Sequence, residues 1–236
     1  MNMPLNTTAD ISDPIAQARY NLIQQQIRTW NVVDAKVLET LDQVHRENFV
    51  PAAYRSLAFV DMEIPLRGNP EVAQQTGQCM LKPLVEARLL QEVNVQPNER
   101  VLEIGAGAGY MAALLAHTAA QVVTIEINPE LAAMARQNLE QAGIGNVTVI
   151  QADGAQANVV EGPFDAIVLS GSVAEVPPQL LAQLRDGGRL VTIAGQEPVM
   201  RVHRVLRKGD RFEVSFPWDT NAPRLLNFGE PTGFKF

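Results

Sequence analysis

The sequence predicts an α/β fold: a mostly parallel sheet with helices on both faces, an antiparallel hairpin near the C-terminus, and a helical arm before the sheet. From residue 100 onward, short apolar runs alternate with helical segments, which is the pattern of a parallel sheet. Two later runs, 202–207 and 212–216, flank Lys208-Gly209-Asp210 and predict the hairpin. The first 99 residues contain helical patterns instead, and these predict the arm.

Prolines and capping residues mark where the helices of the arm begin. Ser12 or Asp13 can cap a first helix that has Pro14 at its first position, and Asp34 can cap a second helix. Prolines and a glycine interrupt residues 47–76, which we expect to form loop with short extended pieces. A further helix is predicted to begin at Pro83 and to run to about Val93.

The apolar runs after residue 100 predict the strands of the sheet and the helices between them. The strand runs are, in order, RVLEI, QVVTIEIN, NVTVIQAD, FDAIVLSG and GRLVTIAG. Pro129 begins one helix, which Gly143 ends, and Pro177-Pro178 begins another, PPQLLAQLRDGG. Because helices separate the strand runs, neighbouring strands are expected to be parallel.

Composition and charge favour an ordinary soluble globular protein. The chain has 236 residues, and its formal net charge of −7 argues against a nucleic-acid partner, because phosphate binding requires a basic face. No apolar run approaches the roughly 20 residues that span a bilayer, and the N-terminus lacks the pattern of a signal peptide. With Cys79 as its single cysteine, the chain is expected to be cytoplasmic. Its scattered histidines predict no metal site. The oligomeric state stays open.

Glycines between a strand and a helix predict a site for a nucleoside cofactor. In EIGAGAGY, the turn contains Gly105, Gly107 and Gly109, which allow a tight turn and a close approach of the backbone to a ligand. Glu126 ends the next strand about 20 residues later, the spacing of an acid that accepts hydrogen bonds from both hydroxyls of an adenosine ribose. Strand, turn, helix and acid together predict a Rossmann-like cofactor site.

Glu103, two residues before the first glycine, favours one type of nucleoside cofactor. A carboxylate repels a pyrophosphate but suits a cofactor with a cationic methionine tail. The segment resembles the class I S-adenosylmethionine-dependent methyltransferases, and the resemblance implies S-adenosyl-L-methionine as the cofactor. It places Asp153-Gly154 at the adenine amino group, although Asp153 can also cap the next turn. Further cofactor contacts are implied for Ala106, Ile127 and Ser170, although Ser170 can equally be a plain strand end.

Four segments narrow the resemblance to one family. They are VLETLDQVHRENFVP at 37–51, FVDMEIPL at 59–66, GQCMLKP at 77–83 and PFDAIVLSGSVAEVPPQLLAQLRDGGRLV at 163–191. Their order resembles that of the protein-L-isoaspartate O-methyltransferases, over about residues 19–216. The resemblance implies methylation of the carboxylate of isoaspartyl residues in damaged proteins, with isoaspartyl peptides or proteins as the partners, and no nucleic acid or membrane.

The segment at 77–83, here called the substrate loop, departs from the family pattern Gly-Gln-Thr-Ile-Ser-x-Pro. Gln78 and Pro83 match that pattern, whereas Cys79, Met80 and Leu81 replace the threonine, isoleucine and serine. In the family, the serine hydroxyl lies near the reacting carboxylate, and Leu81 has no hydroxyl to donate. We also expect residues 69–76 to lengthen the preceding loop.

Two other residues are candidates for a role at the acceptor. Lys82 can offer a charge-assisted hydrogen bond to a carboxylate, or it can be a solvated lysine before a proline. Asp61 matches an acid in the family's arm and either helps to close the site or caps a turn.

We expect residues 1–12 to form a flexible lead and residues 13–236 to form a single methyltransferase domain. Within it, residues 13–99 form the helical arm with the substrate loop, and residues 100–236 form the cofactor-binding sheet.

Three functional hypotheses follow from the intact cofactor site and the altered loop. The first is an isoaspartyl methyltransferase that works with a variant loop. The second is a methyltransferase of the same family acting on a different carboxylate or small acceptor, which would explain the missing hydroxyl. The third is a non-catalytic S-adenosylmethionine-binding protein.

Overall fold

The computed structural model describes residues 13–156 and 159–230. The predicted lead, residues 1–12, lies outside the described residues. The described strands are, in chain order, β1 (Ile64–Pro65), β2 (Cys79–Met80), β3 (Arg100–Ile104), β4 (Gln121–Glu126), β5 (Val147–Gln151), β6 (Phe164–Val173), β7 (Leu184–Gln196), β8 (Val199–Lys208) and β9 (Arg211–Ser215). The α-helices are α1 (Pro14–Asn21), α2 (Ala35–Gln43), α3 (Pro70–Thr76), α4 (Pro83–Val93), α5 (Tyr110–Ala116), α6 (Pro129–Gln141) and α7 (Pro178–Leu181).

The main sheet has seven strands in the order β5-β4-β3-β6-β7-β8-β9. The strands from β5 to β7 are parallel, while β8 and β9 add an antiparallel hairpin. This confirms the predicted α/β fold with its C-terminal hairpin. Nearly every residue of β6 is buried, since helices and loops cover both of its faces.

The arm begins with the predicted caps. The Asp13 carboxylate accepts the N–H of Ile15 at 2.9 Å, and the Asp34 carboxylate accepts that of Lys36 at 2.8 Å. After α1, the chain continues as a π-helical segment, Leu22–Ile27, and a short 3-10 helix, Arg28–Trp30. The arm helices pack with α4 and α5 on one face of the sheet, where they share a hydrophobic core.

The prediction for residues 47–76 was wrong in part. Short 3-10 helices occur at Arg46–Asn48 and Ala52–Leu57, and the segment expected to lengthen the loop is the helix α3. Its boundaries follow ordinary capping chemistry, because the Asn69 side chain accepts the N–H of Val72 at 2.9 Å and Gly77 ends the helix with a positive φ.

The predicted helix PPQLLAQLRDGG is much shorter in the structure. It ends at Leu181 after four residues, and β7 begins at Leu184. Strand pairing explains the difference, because Leu184 lies opposite Phe164 in the sheet and both side chains are buried. Tertiary pairing therefore overrides the local helical pattern of LRDGG.

Arg46 joins the arm to the substrate loop. Its buried guanidinium forms an ion pair with Glu86 of α4 and donates to the carbonyls of Ala58, at 3.1 Å, and Leu81, at 2.8 Å. It also lies 5.2 Å from the ring centre of Tyr110. Burial raises the pKa of Glu86 to about 7, while the charge of Arg46 acts in the opposite direction. These contacts link the backbone of Leu81 to α4 and α5.

We expect Arg46→Met to lower the free energy of unfolding by about 3–5 kcal/mol, because it leaves the buried Glu86 carboxylate without its partner. Urea denaturation measures this loss. Arg55→Met, at an exposed arginine of the same arm, is the control and is expected to change stability by less than about 0.5 kcal/mol. The double variant Arg46→Met/Glu86→Leu should recover much of the loss. A double variant that is as unstable as Arg46→Met would contradict the buried-charge explanation.

Candidate cofactor and acceptor site

A cavity of about 270 Å³ lies at the carboxyl ends of β3, β4 and β6. It occurs where the strand order reverses, with β4 on one side of β3 and β6 on the other, which is the usual ligand position in open parallel sheets. The cavity brings together seven of the predicted cofactor residues: Gly105, Gly107, Glu126, Ile127, Asp153, Gly154 and Ser170. Glu103 and Ala106 instead line a smaller cavity of about 20 Å³ beneath the substrate loop, which Gly105, Gly107 and Ser170 also line.

The glycine turn requires both positive φ angles and small side chains. Gly105 has a φ of +94°, and an added Cβ would lie 2.9 Å from Cδ2 of Leu225. Gly109 has a φ of +87°, and an added Cβ would lie 3.3 Å from the Cα of Ala135 in α6. Gly109 therefore serves the packing of the turn against α6.

Glu126 presents an oriented carboxylate to the cavity. One oxygen accepts the N–H of Gly107 and the other accepts that of Asn128, both at 2.9 Å. Burial raises the pKa of Glu126, and these backbone hydrogen bonds act in the opposite direction. Since a carboxylate oxygen can accept more than one hydrogen bond, both oxygens can also serve a pair of neighbouring hydroxyls.

Asp153 caps a turn, as one of its two suggested roles requires, and it also lies in the wall of the cavity. Its carboxylate accepts the N–H of Ala155 at 3.0 Å, as a turn cap, and it also lines the cavity. A second contact comes from the side-chain amide of Asn227, at 2.9 Å. Gly154 follows with no room for a side chain, because an added Cβ would lie 2.5 Å from Cγ2 of Ile104.

Glu103 of β3 is completely buried, with β4 on one side of its strand and β6 on the other. It accepts hydrogen bonds from the hydroxyls of Ser170, at 2.6 Å, and Thr124, at 2.7 Å. Burial raises the pKa of Glu103 to about 7, against the effect of these two hydrogen bonds. Ser170 also lines the main cavity, so its hydroxyl lies between the Glu103 carboxylate and that cavity. The sequence identified Glu103 and Ser170, but not Thr124.

The C-terminal tail, residues 217–230, closes one side of the cavity. Ser172 donates its N–H to the carbonyl of Pro223 at 2.7 Å, and Leu225 donates back to the carbonyl of Ser172 at 2.9 Å. These bonds place four side chains of the tail in the cavity wall: Arg224, Leu225, Leu226 and Phe228. The apolar spacing of PRLLNFGEPTGFKF, residues 223–236, suggests only that this segment docks somewhere and does not identify the cavity.

The substrate loop forms the adjoining part of the wall, since a Cβ added at Gly77 would lie 3.1 Å from the carbonyl oxygen of Arg224. Gln78 and Cys79 line the main cavity, whereas the side chains of Met80 and Leu81 are buried in the core. Leu81 also lines the smaller cavity beside Glu103. The loop therefore has a defined backbone position, but at residue 81 it presents an apolar side chain.

The other two acceptor candidates lie where the substrate loop enters α4. Lys82 is half-buried at the N-cap position of α4, and Pro83 is the first residue of this helix. Asp61 is exposed, and its carboxylate accepts the N–H of Leu84 at 3.0 Å. Asp61 thus caps the first turn of α4.

The structure also places Glu63, an ionisable residue that the sequence did not single out, beside the substrate loop. Glu63 immediately precedes β1, and its carboxylate lies 3.9 Å from the thiol of Cys79. Burial and the nearby Glu63 raise the pKa of Cys79 to about 12, so the thiol is protonated at neutral pH. Sequence spacing gives no sign of this contact, because it depends on the pairing of β1 with β2.

Two further findings concern residues 13–156 and 159–230. These residues contain no group of three or more histidine, cysteine, aspartate or glutamate side chains that could hold a metal ion. Their helices are all too short or too polar to cross a membrane.

Two solved structures share this architecture. One is a Plasmodium falciparum chain described as a beta-aspartate methyltransferase (PCMT) and crystallised with S-adenosyl-L-homocysteine. Its TM-score is 0.71 and its sequence is 19% identical, and the match covers 88% of this chain and 97% of that one. The other, a protein-L-isoaspartate O-methyltransferase, has a TM-score of 0.72 and 24% identity, covering 86% of this chain and 64% of that one. The fold and the cavity together define a Rossmann-like α/β protein with a ligand site at the carboxyl edge of its parallel strands.

Sequence comparison identifies the family within this class. The sequence profile of the family "Protein-L-isoaspartate(D-aspartate) O-methyltransferase (PCMT)" matches residues 17–216. A protein-L-isoaspartate O-methyltransferase of Koribacter versatilis is 37% identical over 195 residues, covering 83% of this chain and 84% of the relative. One of Methanoculleus marisnigri is 35% identical over 203 residues, covering 86% and 89%. This chain belongs to the protein-L-isoaspartate(D-aspartate) O-methyltransferase family.

We expect Gly105→Ala to destabilise the protein by about 2 kcal/mol or more, because the new methyl group combines backbone strain with a clash against Leu225. Gly143→Ala is the matched control. Its φ is also positive, at +71°, but nothing lies within 4 Å of an added Cβ, so only about 1 kcal/mol is expected. Urea denaturation compares the two variants, and hydrogen exchange of residues 222–228 tests displacement of the tail. Equal losses with an unchanged tail would contradict the proposed contact.

Proposed function

We propose that this chain is an S-adenosylmethionine-dependent O-methyltransferase that methylates the carboxylate of isoaspartyl residues in damaged proteins. The observation that carries the proposal is the cavity at the strand-order reversal, where the glycine turn, Glu126 and Asp153 meet directly beside the substrate loop. Family membership over residues 17–216 supports the same activity. We also propose that residues 13–236 act as one domain, since the arm and the sheet share a core.

The residues of the cavity suit S-adenosylmethionine. We propose that Glu126 accepts hydrogen bonds from the ribose hydroxyls, because both of its oxygens are already oriented by backbone N–H groups. Asp153 can accept from the adenine amino group, beside Gly154 and Ile127. At the other end, Glu103 and Ser170 supply negative charge and a hydroxyl to a cationic methionine tail. The tail residues Leu225 and Phe228 offer apolar surface.

Positioning is the main task of the protein in this reaction. When bound, the cofactor supplies an electrophilic methyl group on a sulfonium, and transfer to a carboxylate oxygen releases a neutral thioether. An aspartyl-type carboxyl, with an ordinary pKa of about 3.9, is already ionised at neutral pH, so no general base is needed. The substrate loop must therefore hold the acceptor near the cavity, and Lys82 is the side chain in this loop that can attract a carboxylate.

The substrate loop also supports a second candidate function, methylation of a different carboxylate or small acceptor. Leu81 has a buried apolar side chain and cannot replace a serine hydroxyl. By analogy with other lost hydrogen-bond donors, this change could slow transfer on the order of 100-fold without abolishing it. Membership of a family of O-methyltransferases makes the third hypothesis, a non-catalytic cofactor-binding protein, the least favoured. The cytoplasmic location and the absence of nucleic-acid or membrane partners stay predictions.

Methyl transfer from labelled S-adenosylmethionine to an isoaspartyl peptide tests the proposed function, with the matching aspartyl peptide as the control. We expect label only in the isoaspartyl peptide. Calorimetry on the same sample measures cofactor binding. Binding without labelling would overturn the isoaspartyl proposal in favour of another acceptor, and an absence of binding would overturn the methyltransferase proposal as a whole.

We expect the affinity for S-adenosylmethionine to rise about tenfold between pH 6 and pH 8, because a cation bound near Glu103 favours the ionised form of a carboxyl whose pKa is about 7 in the free protein. Below pH 7, binding must displace a proton from Glu103 and is therefore weaker. Above pH 7, the carboxylate is already formed and the dependence levels off. Calorimetry at pH 6, 7 and 8 measures this trend.

Glu103→Gln isolates the contribution of this carboxyl to the pH dependence of binding. The variant should bind the cofactor more weakly at pH 8 and lose most of the rise. The same slope in the wild-type protein and the variant would show that another group titrates.

A further inference from the structure

Glu63 places a second carboxylate on the acceptor side of the cavity. It precedes β1, which pairs antiparallel with β2 so that Pro65 lies opposite Cys79. This pairing brings the Glu63 carboxylate to 3.9 Å from the thiol of Cys79, a residue that itself lines the main cavity. Glu63 is therefore separated from the cavity by a single side chain, at the substrate loop.

The charge of Glu63 acts on the same lysine that an acceptor carboxylate would use. Burial raises the pKa of Glu63, while Lys82 and the thiol of Cys79 lower it. The charge of Lys82 therefore favours the ionised form of Glu63. An incoming carboxylate must share this cation with a resident carboxylate, and it also approaches a chain whose formal net charge is −7.

We propose that Glu63 is a specificity-determining residue that selects acceptor carboxylates with a neighbouring cationic group. A cation beside the acceptor, such as a flanking lysine or arginine side chain, would pair with Glu63 and leave Lys82 to the acceptor carboxylate. An acidic neighbour would be repelled by Glu63. The inference rests on the proposed isoaspartyl methyltransferase activity and names the acceptors that the altered substrate loop prefers.

Two isoaspartyl peptides test this preference, identical except that lysine or glutamate flanks the isoaspartyl residue on both sides. At pH 8, we expect the wild-type protein to favour the lysine peptide in kcat/KM by on the order of fivefold or more, equivalent to about 1 kcal/mol. The difference should appear mainly in KM. Calorimetry of peptide binding with S-adenosylhomocysteine present should give a similar ratio of Kd values.

Variants then locate the source of the preference. Glu63→Gln should reduce the ratio to roughly twofold or less, since only the diffuse negative charge of the chain would remain. Glu140→Gln removes one charge from the exposed face of α6, near the opposite end of this helix from the cavity, and should leave the ratio unchanged. In the wild-type protein, raising the salt concentration from about 20 mM to about 500 mM should also shrink the ratio, because salt screens partly exposed charges.

The outcomes distinguish this inference from the proposed function. Methylation of both peptides with the same ratio in wild type and Glu63→Gln would overturn the role of Glu63 and leave the proposed function standing. If Glu63→Gln does not fold, the wild-type protein still tests the role of Glu63. A kcat/KM ratio of the two peptides near one, or a ratio that does not change with salt, would overturn that role. Methylation of neither peptide by any of the proteins would overturn the proposed function, and this inference with it.

Discussion

The buried ion pair of Arg46 and Glu86 is the contact on which the acceptor side of the site depends. Removing two charges from water carries a large desolvation penalty, which is offset only when the remaining hydrogen-bonding groups find partners. Arg46 meets this requirement by donating to the carbonyls of Ala58 and Leu81 as well as to Glu86. One side chain of the arm thereby links segments that are far apart in sequence and fixes the substrate loop against α4.

Charges divide the site into two sides. On the cofactor side, Glu126 and Glu103 supply negative charge, but their surroundings differ: backbone N–H groups orient Glu126, whereas hydroxyl groups surround the buried Glu103. On the acceptor side, Lys82 supplies positive charge, which Glu63 partly offsets. This division suits a cationic methyl donor and an anionic acceptor, because each is attracted to its own side of the transfer.

The substrate loop shows how a family scaffold can keep its backbone while its side chains change. Met80 and Leu81 belong to the hydrophobic core, so Leu81 buries an apolar side chain where the family motif has a serine hydroxyl. Cys79 does not replace that hydroxyl as a reactive group, since burial beside Glu63 holds its thiol in the protonated form. The proposed recognition of the acceptor therefore relies on charged groups of the loop rather than on a side-chain hydroxyl at residue 81.

The sequence by itself determined the α/β class, the caps of the first two helices, the glycine turn and Glu126, because each has a local signature in periodicity or spacing. It also contained the signals for α3, in Asn69, Pro70 and Gly77, which were outweighed by the surrounding loop residues. Only the tertiary structure decided the early end of α7, the closure of the cavity by the tail, and the meeting of Glu63 with Cys79. These features arise from strand pairing and packing between residues distant in the chain, and such contacts leave no periodic pattern in the sequence.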